Sequence, residues 1–178
     1  MIAVDQGDGG YPPIQRVVTG HDKHGNSVFR SDDLLTTEGI PSGDAAFRTI
    51  WTTATVPADN NDETDGGTRA TGLTLEGGSV IRIVDMYPGK ASPMHRTNSI
   101  DYGIVLEGEI ELELEDGLKK KVGRGGVIVQ RGTNHLWRNT TQSVCRIIFV
   151  LIEAAPYRYG DAVLAELKPE DVQAANGV

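Results

Sequence analysis

Residues 109–139, EIELELEDGLKKKVGRGGVIVQRGTNHLWRN, decide the fold. From Glu109 to Glu115 the chain alternates without a fault, so Ile110, Leu112 and Leu114 share one face of a strand and the glutamates take the other. A return strand follows Asp116-Gly117. A two-residue loop would set Lys119 and Lys121 against leucines on the inner face. A three-residue loop over Asp116 to Leu118 instead pairs Glu115 with Lys119, Glu113 with Lys121 and Leu112 with Val122, and this is the predicted register. Beyond Gly125-Gly126, the run Val127-Ile128-Val129, a turn at Arg131-Gly132 and the segments TNHLWRN and SVCRIIFVLIE continue the β pattern.

Working outward, short β-branched runs separated by glycine and proline dominate the chain, which holds 22 Gly and 8 Pro in 178 residues. IQRVVT (14–19) and SVFR (27–30) flank HDKHGN as a hairpin with His21 and His24 at its tip. FRTIWTTATV (47–56) and SVIRIVDM (79–86) are further strands, separated by a polar stretch expected to be a mobile loop. After Pro156, DAVLAEL and PEDVQAAN read as two short helices outside a barrel. The expected organisation is one domain: an N-terminal arm with strands (1–56), a polar loop (57–78), a barrel core (79–155) and a helical tail (156–178). Short, closely spaced strands with glycine turns make an all-β sandwich or barrel.

Charge and composition exclude several classes of partner. A formal charge of -8, from 17 Lys+Arg against 25 Asp+Glu, leaves no basic stripe for nucleic acid or an anionic membrane surface. With no run of about 18 apolar residues and no charged-then-apolar start, a cytoplasmic protein is expected. The one cysteine, Cys145, lies in an apolar strand and reads as a buried, inert thiol.

Two segments carry candidate chemistry, PGKASPMHRTNSIDYGIVLEGE (88–109) and GRGGVIVQRGTNHLWRN (123–139). Gly89, His95, Asp101 and Gly108 resemble the leading cupin motif in spacing. Gly132, His135 and Asn139 resemble the trailing one, with Gln130 where proline is usual. Thr97 replaces the second histidine of the first motif, and Asp101 replaces its glutamate. The resemblance implies a double-stranded β-helix, or jelly-roll barrel, with N-terminal strands and one or two short C-terminal helices, in the manner of short single-domain cupins. It also implies a cavity around His95 and His135. If Asp101 reaches, His95, Asp101 and His135 form a two-histidine, one-carboxylate face for Zn, Mn, Ni or Fe, and otherwise the site works without a metal.

Parity places other residues. Trp137 shares a face with His135 and Asn139 and is a candidate aromatic wall, whereas Tyr102 points away from Asp101 and packs structurally. Thr97 is a cavity wall or hydrogen-bond donor. Arg82, in an apolar strand, needs a carboxylate partner such as Asp101, an anionic ligand or the solvent face. Gly103 keeps room for a ligand, and Gly108 serves a turn. Arg96 and Arg138 are expected to face outward.

With no nucleophile motif and no phosphate loop, His95, His135 and Asp101 are the catalytic candidates, and Thr97, Arg82, Trp137 and Gly103 the substrate-binding ones. Proton transfer, or Lewis-acid help from a bound ion, suits decarboxylation, dehydration or tautomerisation. The resemblance supplies the substrate idea, a carbonyl-bearing acid such as a polyketide-like intermediate. Two alternatives stay open, an Fe(II)-dependent dioxygenase and a non-catalytic small-molecule-binding module. A homodimer through the N-terminal strands is the expected assembly.

Overall fold

The computed structural model describes residues 11–169. β1 (Ile14–His21) and β2 (Ser27–Leu35) form the expected hairpin, with His24 in its turn. A six-stranded sheet follows the order β3 (Glu38–Gly39), β4 (Ala45–Thr53), β5 (Ser79–Met86), β11 (Cys145–Glu153), β6 (Ser99–Glu107) and β9 (Val127–Arg131). A three-stranded sheet, β10 (His135–Arg138), β7 (Glu109–Leu114) and β8 (Lys119–Gly123), faces it. Isolated bridges from Ala91 to Arg138 and from His95 to His135 extend this smaller sheet along the free edge of β10. Ile110, Ile147, Val80, Val105 and Cys145 are fully buried between the layers. Burial pushes the Cys145 thiol up to about 12, so it stays protonated and inert.

The β7–β8 hairpin has a three-residue loop, but it is Glu115-Asp116-Gly117, a single 3₁₀ turn, rather than Asp116 to Leu118. Leu114 N donates to Leu118 O at 2.8 Å, and Asp116 and Gly117 take φ of 59° and 72°. Glu113 therefore faces Lys119, Glu111 faces Lys121 and Ile110 faces Val122. This moves the pairing by two residues, which preserves both faces. Lys119 bridges Glu113 at 3.2 Å and Lys121 bridges Glu109 at 3.0 Å.

Between Thr53 and Ser79 there is no strand or helix, as expected of the polar loop. Its polar groups are tied at several points, however. Arg16 reaches Asp65 at 2.8 Å, Thr52 Oγ1 donates to Gly66 O at 2.8 Å, and Arg69 reaches Asp62 at 2.8 Å.

The C-terminal helices are a correction. DAVLAEL is not helical: β12 (Arg158–Tyr159) and β13 (Ala162–Val163) pair as a small hairpin around Gly160, whose φ is 58°. A lone seven-residue helix gains too few hydrogen bonds to offset its nucleation. The chain finds a tertiary partner instead, since Leu167 pairs with Arg96 through two backbone bonds of 2.9 Å. PEDVQAAN lies outside the described residues except for Pro169. Arg96 corrects a second expectation. It is only 9% exposed, and its Nη1 donates to Ala165 O at 3.2 Å while Nη2 lies 3.5 Å from Glu115.

On the outer side of β5, Asp85 is completely buried. Arg146 Nε and Nη2 donate to its two oxygens at 2.6 and 2.7 Å, and Thr37 Oγ1 adds a bond of 2.8 Å. Arg146 also donates to Pro12 O at 3.0 Å and stacks 4.8 Å from the Tyr11 ring centre, so this cluster holds the N-terminal arm to the barrel.

Candidate active site

A cavity of about 390 Å³ opens between the two sheets. Phe47, Val84, Met86, Trp137, Phe149 and Leu151 make its apolar wall, and His95, His135, Thr97, Asp101 and Arg82 supply its polar groups. This is the usual composition of a small-molecule pocket, mostly apolar with a few convergent polar groups. A second cleft of about 660 Å³, between β1 and β4, is lined by threonines, Asp59 and Asp62 and contains no histidine.

The histidines meet because their backbones pair. His95 N donates to His135 O at 2.8 Å and His135 N donates back at 2.9 Å, which brings the ring centres to 4.3 Å. Each ring is oriented by the same local device: Nδ1 lies 2.9 Å from the carbonyl oxygen two residues earlier, Pro93 for His95 and Thr133 for His135. A carbonyl can only accept, so His95 Nδ1 carries the proton and its Nε2 keeps the lone pair, whereas His135 Nδ1 lies against both Thr133 O and, at 3.0 Å, the Gln130 amide nitrogen. Gln130, at the position where the resemblance expects proline, donates to Thr133 O at 3.0 Å and braces this arrangement. Gly132 makes the turn between them at φ 59°, a conformation open to glycine.

Burial lowers the proton affinity of both imidazoles. For His135, which is 1% exposed, desolvation and the neighbouring His95 push the pKa down to about 3. Asp101 moves the other way. Burial pushes its carboxyl up to about 6, against the opposing pull of Ser99, Arg82 and Thr97. Ser99 Oγ donates to Asp101 Oδ1 at 2.5 Å and lies 2.8 Å from Thr97 Oγ1, so these three residues form one chain. Arg82 is buried beside them, and desolvation lowers its guanidinium to about 10.

The structure thus gathers His95, His135, Asp101, Thr97, Arg82 and Trp137 around one cavity. Trp137 stands edge-on to His135 at 5.3 Å and 5.2 Å from Phe149, making the expected aromatic wall. Tyr102 points outward, 40% exposed. Gly103 has a different task from the one expected. A Cβ there would meet the Phe149 ring at 2.8 Å, so the glycine admits Phe149, which in turn lines the cavity. Sequence reasoning missed Ser99, Phe47 and Phe149. Ser99 could have been found by parity with Asp101, whereas Phe149 sits in a run apolar on both faces that offers no signal of sidedness.

Among the described residues, no three His, Cys, Asp or Glu side chains gather as a ligand group. Asp101 is engaged by Ser99, and Thr97 stands where the resemblance expects a second histidine. The residues present do not fit a site with three protein ligands.

Two facing antiparallel sheets around a histidine-paired cavity define a jelly-roll barrel of the small-molecule-binding class. Residues 82–151 match the family described as cupin domain. The phomopsin biosynthesis cluster protein C' of Diaporthe leptostromiformis is 46% identical over 150 residues, covering 79% of this chain and 79% of that protein. The cupin-domain-containing oxidoreductase fogC of Aspergillus ruber is 35% identical over 151 residues, 81% of this chain and 74% of that one. The solved structure of the polyketide cyclase RemF from Streptomyces resistomycificus aligns over 90% of this chain and 87% of its own, at 20% identity and a TM-score of 0.46. The chain belongs to the cupin family.

Proposed function

We propose that the protein is a small-molecule enzyme of secondary metabolism that moves a proton on a carbonyl-bearing intermediate, as a lyase or isomerase. The relatives supply the metabolic setting, through names such as phomopsin biosynthesis cluster protein. One observation carries the chemistry: His95, with Nδ1 tethered and Nε2 free, shares an apolar cavity with a second imidazole and a carboxyl raised to about 6. In a tautomerisation, His95 Nε2 takes the proton from the carbon beside the carbonyl, and Asp101 in its acid form gives one to the carbonyl oxygen. The carbon–hydrogen pair becomes the new C=C bond, the C=O becomes C–OH, and no outside reactant is consumed. His135, held neutral, makes a hydrogen bond to the substrate. Reversal at a second carbon, or loss of a β-hydroxyl as water from the enol, extends the same chemistry, and a β-keto acid that loses CO2 yields the same enol, which takes its carbon-bound proton back from the imidazolium. A carboxyl titrating near neutrality is suited to this exchange.

Deuterium uptake into the CH2 beside the ketone of 1-tetralone, followed by proton NMR, tests the reading. The protein should accelerate exchange, and His95→Ala should lose about 100-fold of that acceleration with its melting curve retained. Equal exchange in wild type, His95→Ala and His135→Ala rejects the catalytic assignment. A second reading, oxidation of the same intermediate, is favoured by relatives named oxidoreductases. Product mass separates the two, because isomerisation leaves it unchanged and oxidation does not.

The assembly completing this reading is a homodimer through the N-terminal hairpin. Phe29 is 79% and Leu34 74% exposed on β2, an apolar edge that a second copy covers. Light scattering should give twice the chain mass, reduced to one by Phe29→Asp with Leu34→Asp. A wild-type monomer rejects this assembly.

A further inference from the structure

Arg82 enters the cavity from the six-stranded sheet, opposite the sheet that carries His135. The residue is buried, 6% exposed. Nη2 makes both of its hydrogen bonds, to Gly72 O at 2.7 Å and Leu73 O at 2.8 Å, and Nε is buried with no partner. Among the described residues no carboxylate stands within ion-pair distance of it, although Asp101 is near enough to act on its charge. Phe47 supports the guanidinium face, 5.8 Å from Cζ.

A buried cation without a counter-ion is costly, and barrels that need only a packed wall place an aliphatic side chain at such a position. Neighbours on the same face of β5, Val84 and Met86, are of that kind. The bonds to Gly72 and Leu73 fix the guanidinium without neutralising it, which leaves an aimed donor facing the cavity. With Nη2 spent on the two carbonyls, Nη1 is left to donate, and a charged N–H bonds a carboxylate oxygen more strongly than any neutral acceptor.

We infer that the substrate is an anion, a flat apolar molecule bearing a carboxylate that Arg82 binds while its carbonyl end lies at His95 and His135. This rests on the proton-transfer reading and narrows it to a substrate class. Two-point attachment across the cavity fixes which carbon faces the imidazoles, and the wall of Trp137 and Phe149 suits an aromatic body. Asp101, His95, His135 and Asp44 are the other titratable groups lining the cavity. A bound carboxylate is expected to hold Asp101 in its acid form, the form the proposed reaction uses.

Calorimetric titration of the wild-type protein with 2-naphthoate, 2-naphthamide and naphthalene tests this without any turnover. The acid should bind at least tenfold tighter than the amide, and Arg82→Gln should abolish that preference while naphthalene binding persists. Equal affinity for acid and amide in wild type overturns the inference, as does a preference for the acid that survives in Arg82→Gln. Naphthalene bound with no preference for the acid removes the role of Arg82 and leaves the deuterium-exchange result standing. Binding of none of the three overturns the substrate class itself.

Discussion

Asp85→Ala should cost about 3–5 kcal/mol of folding stability, because it strands a buried guanidinium whose counter-ion has been removed. Asp85 has no exposed surface, and both its oxygens are taken by Arg146 while Thr37 adds a third donor. Removing the carboxylate leaves Arg146, itself 8% exposed, with its charge in a space that water does not reach. The N-terminal arm should loosen with it, since Pro12 and Tyr11 are held by the same guanidinium. Urea unfolding followed by tryptophan fluorescence measures the loss. Replacing both partners, Asp85→Leu with Arg146→Met, should recover most of it, because no unpaired charge then remains. A loss below about 1 kcal/mol in the single variant would mean that the arm opens and rehydrates the guanidinium freely.

That cluster shows where sequence reading stops. Asp85 and Arg146 lie 61 positions apart, each in a strand with apolar neighbours, and nothing in either strand names the other. Local alternation, by contrast, revealed β7, because a strand with one wet face writes its period into the chain, and short β-branched runs around a turn revealed β1 and the start of β2. The β7–β8 loop had the right length but began one residue later in expectation than in fact. Both placements keep leucines inside and, Lys120 apart, charges outside, so polarity alone could not separate them; the left-handed conformations of Asp116 and Gly117 did. Alanine and leucine are strong helix formers, but the seven residues of DAVLAEL are too few to offset nucleation, and the pairing of Leu167 with Arg96 outweighed their preference.

The site was legible to the extent that motif spacing encodes topology. His95 and His135 lie 40 positions apart, and their pairing follows from the bridge that joins the segment before β6 to β10. Parity then placed Trp137 inside and Tyr102 outside. What spacing could not supply was the partner of each group. Asp101 turned to Ser99 rather than completing a ligand set, and Arg82 turned to the backbone of the loop after β4. Ser99 stands two residues before Asp101 in β6 and was open to parity, whereas the partners of Arg82 depend on how the loop folds over the barrel.

Acid should act on this cavity in two opposing ways, which substitutions at His135 and Asp101 will separate. His135 binds a proton at about 3 in the fold against 6.5 ordinarily, so the unfolded chain holds that proton more tightly. Its contribution to stability is full above 6.5 and drains as the pH falls toward 3, on the order of 3 kcal/mol between neutral pH and about pH 4. Asp101 titrates at about 6 in the fold against 3.8 ordinarily, so the folded state holds its proton more tightly. Its contribution is full below 3.8 and is lost as the pH rises through 6, so the same acid step returns on the order of 2 kcal/mol. The two changes nearly cancel in the wild type. Relative to wild type, His135→Gln should therefore gain about 3 kcal/mol on going from neutral pH to about pH 4, and Asp101→Asn should lose about 2 kcal/mol. Urea denaturation of the three proteins at both pH values gives each difference, and shifts of the same sign in the two variants would refute the assignment. Opposite signs would mean that between about pH 3 and 6 the cavity holds a proton on the carboxyl and none on the imidazole, leaving one donor and one acceptor ready for a substrate that exchanges protons with both.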